Sequence, residues 1–385
     1  MFKGVHCLKY LLTLSPALLI IHINIGEIIM NRRTFIERSG AATGAALLGS
    51  VVPELNNTPD GQQKKPSQPR RDIKIGLYTI SYLGIWYDGP ALSFREIVDR
   101  ARMYGYDSIE LDNKRPLGNP MDIDRKKREE MKEILAKAGI EMPCVAANND
   151  FSSPIPEHRE AQLLMVRETA RLAADLGAKI VRLFAAWPGV PIHNGTGTYD
   201  LIRGDYYTFE RQYPYSTWLE RWKFVKDCLK ETAKMGEEFG VVMALQNHKP
   251  LIRHWKDMYD LIMEVDSPWL KACLDLPIMT RYDHPWVEEA VRTVGKLQIH
   301  SHFGGEYYRD KSGKVQQLVM PMRYGQPLPD YPHFIKMMRE IGYEGHITFE
   351  LCHPFIDDKH EQLGLDQVHE QVQMAREFMG EIINA

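Results

Sequence analysis

Gly240-Val241-Val242-Met243-Ala244-Leu245-Gln246-Asn247-His248 holds the organising unit of the chain in one short stretch. A glycine closes the amphipathic run before it, an apolar run follows, and that run stops at an amide. Glycine after the last periodic residue supplies the left-handed turn that ends a helix. A continuous short apolar run fits a strand buried on both faces, as in a parallel sheet covered by helices.

The unit recurs eight times from Ile73 onward. Strands are expected over 73–79, 107–111, 141–147, 179–184, 241–246, 270–275, 296–301 and 346–350. Helices are expected over 93–104, 122–138, 157–176, 217–239, 254–264, 285–294, 331–341 and 365–383. Gly105, Gly139, Gly177, Gly240 and Gly342 precede strands, and Ser93 with Glu96 spells a capping box. Strands alternating with helices call for a parallel sheet, and eight repeats call for its closure into a (β/α)8 barrel of the α/β class. An open doubly wound sheet is disfavoured, because no G-x-G-x-x-G follows the first strand.

Upstream, Arg32-Arg33 precedes an uncharged Ala/Gly/Leu stretch over 40–52, the pattern of a twin-arginine export signal. We read 1–52 as a leader whose true start is Met30, 53–72 as a flexible polar linker, and 73–385 as the barrel domain. The expected location is periplasmic or otherwise exported, with no membrane span in the mature form. Net charge is −3 overall, yet the chain beyond residue 71 holds 39 basic residues against 47 acidic ones. That balance disfavours nucleic acid and anionic membrane surfaces as partners. Arg125-Lys126-Lys127-Arg128 fits a solvated helix face. Cys144, Cys273 and Cys352 fall in or beside apolar strands and read as small buried residues, and no C-x-x-C spacing occurs.

Five strands finish in a polar residue: Glu110, Gln246, Asp275, His300 and Glu350. The carboxyl ends of barrel strands are where such groups can converge without being buried unpaired, and several carboxylates there require a cation. Two strand-to-helix connections, 185–216 and 303–330, are long and rich in aromatics, among them Trp187, Tyr199, Tyr206, Tyr207, Tyr213, Tyr307 and Tyr308. Such loops serve as lids or binding segments, and their rings suit a sugar, or else a satellite core or an oligomer contact.

The segments Gly105–Leu111, Leu245-Gln246-Asn247-His248, Asp275, His300 and 342–350 make residues 73–380 resemble the xylose isomerase-like barrels of the sugar phosphate isomerase and epimerase group. The resemblance implies one divalent ion held by Gln246, Asp275, His300 and Glu350. Mn2+, Mg2+, Co2+ or Zn2+ would suit these oxygen and nitrogen donors. It also implies proton abstraction alpha to the carbonyl of a sugar or keto-sugar. Gln246 departs from the pattern, since a metal-bound glutamate is usual there and forms half of the acid/base pair. Ile278 departs from it too, replacing a histidine.

Glu350, His302, His248 and Lys249 are therefore the candidates to move protons, and Glu110, Arg182, Trp187 and Asn247 to bind substrate. For Arg182 the pairing with Glu110 is the preferred alternative, and His193, His284 and His353 read as surface or lid residues. Two further outcomes stay open. With one carboxylate lost, the same enediolate could expel a substituent, making a keto-glycoside lyase or deglycosidase. A non-catalytic exported sugar-binding barrel is the second, and a homo-oligomer is compatible with each. A multi-zinc endonuclease is disfavoured by charge and by the short supply of ligands.

Overall fold

In a computed structural model, the chain closes eight parallel strands into a barrel ringed by eight helices. The structure describes residues 73–187, 189–190, 192–193, 196–197, 215–318, 327–357, 359 and 361–385. The expected leader and linker lie outside these residues, as do Tyr199, Tyr206, Tyr207 and Tyr213. The strands are β1 Lys74–Tyr78, β2 Ser108–Asp112, β3 Glu141–Ala146, β4 Ile180–Leu183, β5 Val242–Gln246, β6 Leu270–Cys273, β7 Gln298–Gly304 and β8 His346–Glu350. The helices that follow them are α1 Phe94–Tyr104, α2 Arg125–Ala138, α3 Pro156–Leu176, α4 Trp218–Phe239, α5 Trp255–Val265, α6 His284–Val294, α7 Tyr331–Glu340 and α8 Leu365–Asn384. Each strand pairs in parallel with its sequence neighbours, and β1 closes the ring against β8 through Lys74–His346 and Leu77–Phe349.

Local chemistry sets these elements. Ser93 and Glu96 form the expected reciprocal cap on α1, with the Ser93 N–H donating to the Glu96 carboxylate at 2.7 Å. Thr217 and Glu220 repeat it on α4. The helix-ending glycines adopt the left-handed conformation, with φ of 79° at Gly105 and 85° at Gly177. α1 buries the stripe Phe94, Ile97, Val98 and Ala101 against the strands. Arg125, Lys126 and Lys127 are exposed and Arg128 half-buried on α2, as a solvated helix face requires.

Two elements differ from expectation. The seventh strand runs on to Gly304, and the connection after it contains an antiparallel hairpin, Glu306–Arg309 against Val315–Leu318. Its Tyr307 is buried against Phe349 and Phe378 (ring centroids 6.1 and 5.0 Å), so that ring belongs to the core and offers no sugar platform. The sixth strand ends at Cys273, which leaves Asp275 just past it.

Side chains alternate along a strand with period two. Glu110 and Asp112 of β2 therefore share one direction, as do His300 and His302 of β7, and Thr348 and Glu350 of β8. Ile109, Leu111, Phe303 and Phe349 have the opposite parity and join the apolar cluster beneath the helices. Register places His302 beside Thr348 and Gly304 beside Glu350, so Glu350 stands one layer nearer the mouth than His302, and His300 one layer deeper.

One glycine ties this frame to the site. A Cβ on Gly118 would stand 2.0 Å from the carbonyl oxygen of Asp112, at the carboxyl end of β2. Gly118→Ala must push that backbone aside. Urea unfolding is expected to show a loss of about 1–3 kcal/mol, and an unchanged midpoint would contradict the close approach.

Candidate active site

Glu110 is fully buried at the centre of the barrel mouth and is bound from three sides. Arg182 donates Nε–H to its Oε1 at 2.7 Å. His300 Nε2 and His302 Nε2 both lie 2.7 Å from its Oε2. Burial alone would raise the Glu110 carboxyl, but the charges of Arg182, His302 and His300 overcome that and hold it well below the ordinary carboxylate range. The expected pairing of Arg182 with Glu110 is thus present, and Glu110 grips three site residues from below.

Arg182 continues upward. Its Nη1 donates to Gln246 Oε1 at 2.8 Å, and its guanidinium lies 4.8 Å from the Tyr78 ring centroid and 5.0 Å from that of Phe184. With its oxygen taken, Gln246 donates from Nε2 to Asp275 Oδ2. Asp275 also accepts from the backbone N–H of His302 at 2.8 Å, and its Oδ2 lies 2.9 Å from His302 Nδ1. The imidazole facing Asp275 is therefore that of His302, whereas His300 turns its Nε2 to Glu110. Burial disfavours a charge on His302, but Glu110 and Asp275 on either side raise its pKa to about 10.

Glu350, Gln246, Arg182, His248 and Trp187 line one cavity together with Tyr78, Lys114, Asn148 and Phe184. Burial raises the Glu350 carboxyl, with His302 and Arg182 opposing. His248 places Nδ1 2.6 Å from the Lys249 carbonyl oxygen, so Nδ1 carries the proton and Nε2 is left to accept. Burial lowers its pKa to about 4, with the Arg182 charge adding to the effect, and the ring is neutral at ordinary pH. Its edge meets Phe184 and Trp187 at 5.0 and 4.5 Å between centroids. Lys249 supplies this carbonyl, and its side chain is not among the cavity-lining groups. Asn247 spends its amide on the Asp275 backbone, accepting from N at 2.8 Å and donating to O at 3.1 Å, so it positions Asp275.

Two expectations for other histidines also resolve. His284 is exposed, with Nε2 2.9 Å from Asp330 Oδ2. His353 is buried against Glu306, with Nε2 2.9 Å from Oε1, because the long connection after β7 folds back over it; it is no surface residue. The side chain of His193 lies outside the described residues.

A second wall of the site was missed from sequence. Asp112, fully buried two residues beyond Glu110, accepts from Tyr78 OH, from the Lys114 backbone N–H at 2.7 Å and from Lys114 Nζ at 3.1 Å. It also accepts from Asn148 Nδ2 at 3.1 Å, and Lys114 Nζ donates to Asn148 Oδ1 at 2.5 Å. The signal was present as Glu110-Leu111-Asp112-Asn113-Lys114 and Asn148-Asn149-Asp150, polar clusters directly after the second and third strands.

Among the described residues, two groups of side chains gather as potential metal ligands: Glu110, His300 and His302, and Cys273, Asp275 and His302. The first is deeper, and its carboxylate is committed to Arg182. The second stands next to Gln246, which lines the cavity and donates to Asp275; Asp275 Oδ2 and His302 Nδ1 converge there beside the Cys273 thiol. With Glu350 lining the cavity above, the carboxylate and imidazole of this group fit a divalent ion.

Glu110→Gln would strand the buried charges of Arg182 and His302, and the variant is expected to lose about 3–5 kcal/mol in urea unfolding. The native stabilisation by Glu110, whose folded pKa is depressed, holds above the ordinary carboxylate range and is lost as pH falls. His302 has the opposite sign, since its folded pKa is raised. In chelator-treated protein its contribution is complete below about pH 6.5 and is lost as pH rises towards about 10. The melting temperature should fall across that interval, and His302→Gln should flatten the fall.

The comparisons with known proteins agree with this fold. No curated protein matches the chain in sequence. A D-psicose 3-epimerase from Clostridium cellulolyticum H10, solved with D-tagatose, is 17% identical, with a TM-score of 0.57 over 81% of this chain and 99% of that one. A 3-keto-D-glucoside 4-epimerase from E. coli is 16% identical, with a TM-score of 0.54 over 81% and 100%. An L-ribulose 3-epimerase is 17% identical, with a TM-score of 0.57 over 81% and 95%. At these identities the likeness establishes a shared fold. The model of the xylose isomerase-like TIM barrel matches residues 98–383, and the chain belongs to that family.

Proposed function

We propose that this protein is an isomerase or epimerase-like enzyme that removes a proton alpha to the carbonyl of a sugar or keto-sugar, assisted by one divalent ion. The observation that carries the reading is the gathering of Asp275, His302 and Gln246 beneath a cavity that Gln246 and Glu350 line. Asp275, His302 and Glu350 would hold the ion, with Gln246 contributing least because Arg182 occupies its oxygen. A bound ion supplies Lewis-acid polarisation of a carbonyl or vicinal hydroxyls.

The chain's own residues do the rest. Glu350, with its carboxyl raised by burial, is the group that takes and returns the proton. Glu110 fixes His302 by accepting at Nε2, which turns Nδ1 to the Asp275 side. His248, neutral and accepting at Nε2, is the partner to Glu350 in the place where Gln246 cannot exchange a proton. Trp187 and Phe184 wall the cavity beside it and exclude water.

Gln246 also favours a second reading. With one carboxylate in place of two, an enediolate formed here could expel a beta-substituent, and the protein would be a keto-glycoside lyase. The Arg32-Arg33 leader supports export and an unphosphorylated substrate. Edman sequencing of the secreted protein tests it, with a new N-terminus beyond residue 40 expected and an uncleaved cytoplasmic chain contradicting it.

The activity is tested by incubating the full chain with Mn2+ in D2O, with ketoses, aldoses and 3-keto-glycosides, followed by NMR. Metal-dependent deuterium uptake beside a carbonyl is expected, and the product distinguishes isomerase, epimerase and lyase. Glu350→Gln should slow exchange about 10²–10⁴-fold. Bound sugar and metal without exchange would instead identify a non-catalytic sugar-binding barrel.

A further inference from the structure

We infer that Lys114 and Arg182 form a subsite for a carboxylate, so that the substrate is a sugar acid; this rests on the reading of the cavity as a sugar site. Both cations line the cavity. Each is anchored from below by a fully buried carboxylate, Lys114 by Asp112 at 3.1 Å and Arg182 by Glu110 at 2.7 Å. Neither anchor satisfies its donors fully. Lys114 has three N–H groups, and its acceptors are Asp112 Oδ2 at 3.1 Å, Asn148 Oδ1 at 2.5 Å and, at the long distance of 3.5 Å, Asp112 Oδ1. Arg182 spends Nε and one hydrogen of Nη1, while its buried Nη2 has no hydrogen-bond partner among the described residues.

A buried guanidinium N–H without an acceptor is costly, and a ligand oxygen there removes the cost. The guanidinium is also held between the Tyr78 and Phe184 rings, which fixes its plane. Two pre-positioned cations on one cavity, Arg182 with a donor unfilled and Lys114 with a donor only weakly engaged, match a group with two acceptor oxygens and a negative charge. The neutral hydroxyls of a sugar would satisfy the donors but leave the charge complementarity unused.

Calorimetric titration of the full-length protein tests this without turnover, so its outcome is separate from that of the exchange experiment. The probes are D-glucuronate and D-gluconate, their neutral counterparts D-glucose and sorbitol, and inorganic phosphate. Carboxylated probes are expected to bind about tenfold or more tightly than the neutral ones. Lys114→Met should remove that preference and Lys114→Arg should keep it, with circular dichroism confirming that both variants fold. Equal affinity for acid and neutral probes in the wild-type protein, or no binding of the acids, overturns the proposal. So does tighter binding of phosphate than of the acids, or an undiminished preference in a folded Lys114→Met variant.

Discussion

One buried carboxylate organises the mouth of this barrel. Glu110 sits where no water reaches it, and a lone anion there would cost several kcal/mol or take up a proton. Arg182 and two histidines keep it ionised. The same bonds aim Arg182 at Gln246 and turn His302 towards Asp275. The groups that face the cavity thus inherit their orientation from a residue that does not line it. Asp112, one inward position further along the strand, repeats the device for Tyr78, Lys114 and Asn148. A single strand, through its period of two, therefore sets both polar walls.

This arrangement gives Gln246 a physical context. A carboxylate at that position would compete with Glu110 for Arg182 and add a further negative charge beside Asp275. The amide instead accepts from Arg182 and donates to Asp275, joining the two without charge. In the function proposed for this site, Glu350 and His248 carry the acid/base chemistry that an amide cannot.

The barrel was legible in the sequence because its signals are local. Glycine caps, the Ser93–Glu96 box and apolar runs of strand length each act within a few residues, and the described elements follow them closely. The pairing of Arg182 with Glu110 was legible as well, since both sit at strand ends. What escaped was depth. His300 and His302 share one face of β7, and a strand taken to stop at Ser301 makes His300 its last inward residue. The strand runs to Gly304, so His302 stands nearer the mouth, beside Asp275. Asn247, a candidate substrate contact, spends its amide on the backbone of Asp275 where β6 ends early. Lys114 and Asn148 were overlooked because they lie past their strands, and only the closed ring brings them together.

We propose that a divalent ion is held at the mouth by Asp275, His302 and Glu350. Anomalous diffraction from crystals grown with Mn2+ tests it most directly. One anomalous peak bounded by these three side chains is expected, with Arg182 still on Gln246 and Glu110. A peak on Glu110 and His300 in the deeper layer, or no peak at saturating Mn2+, would contradict it.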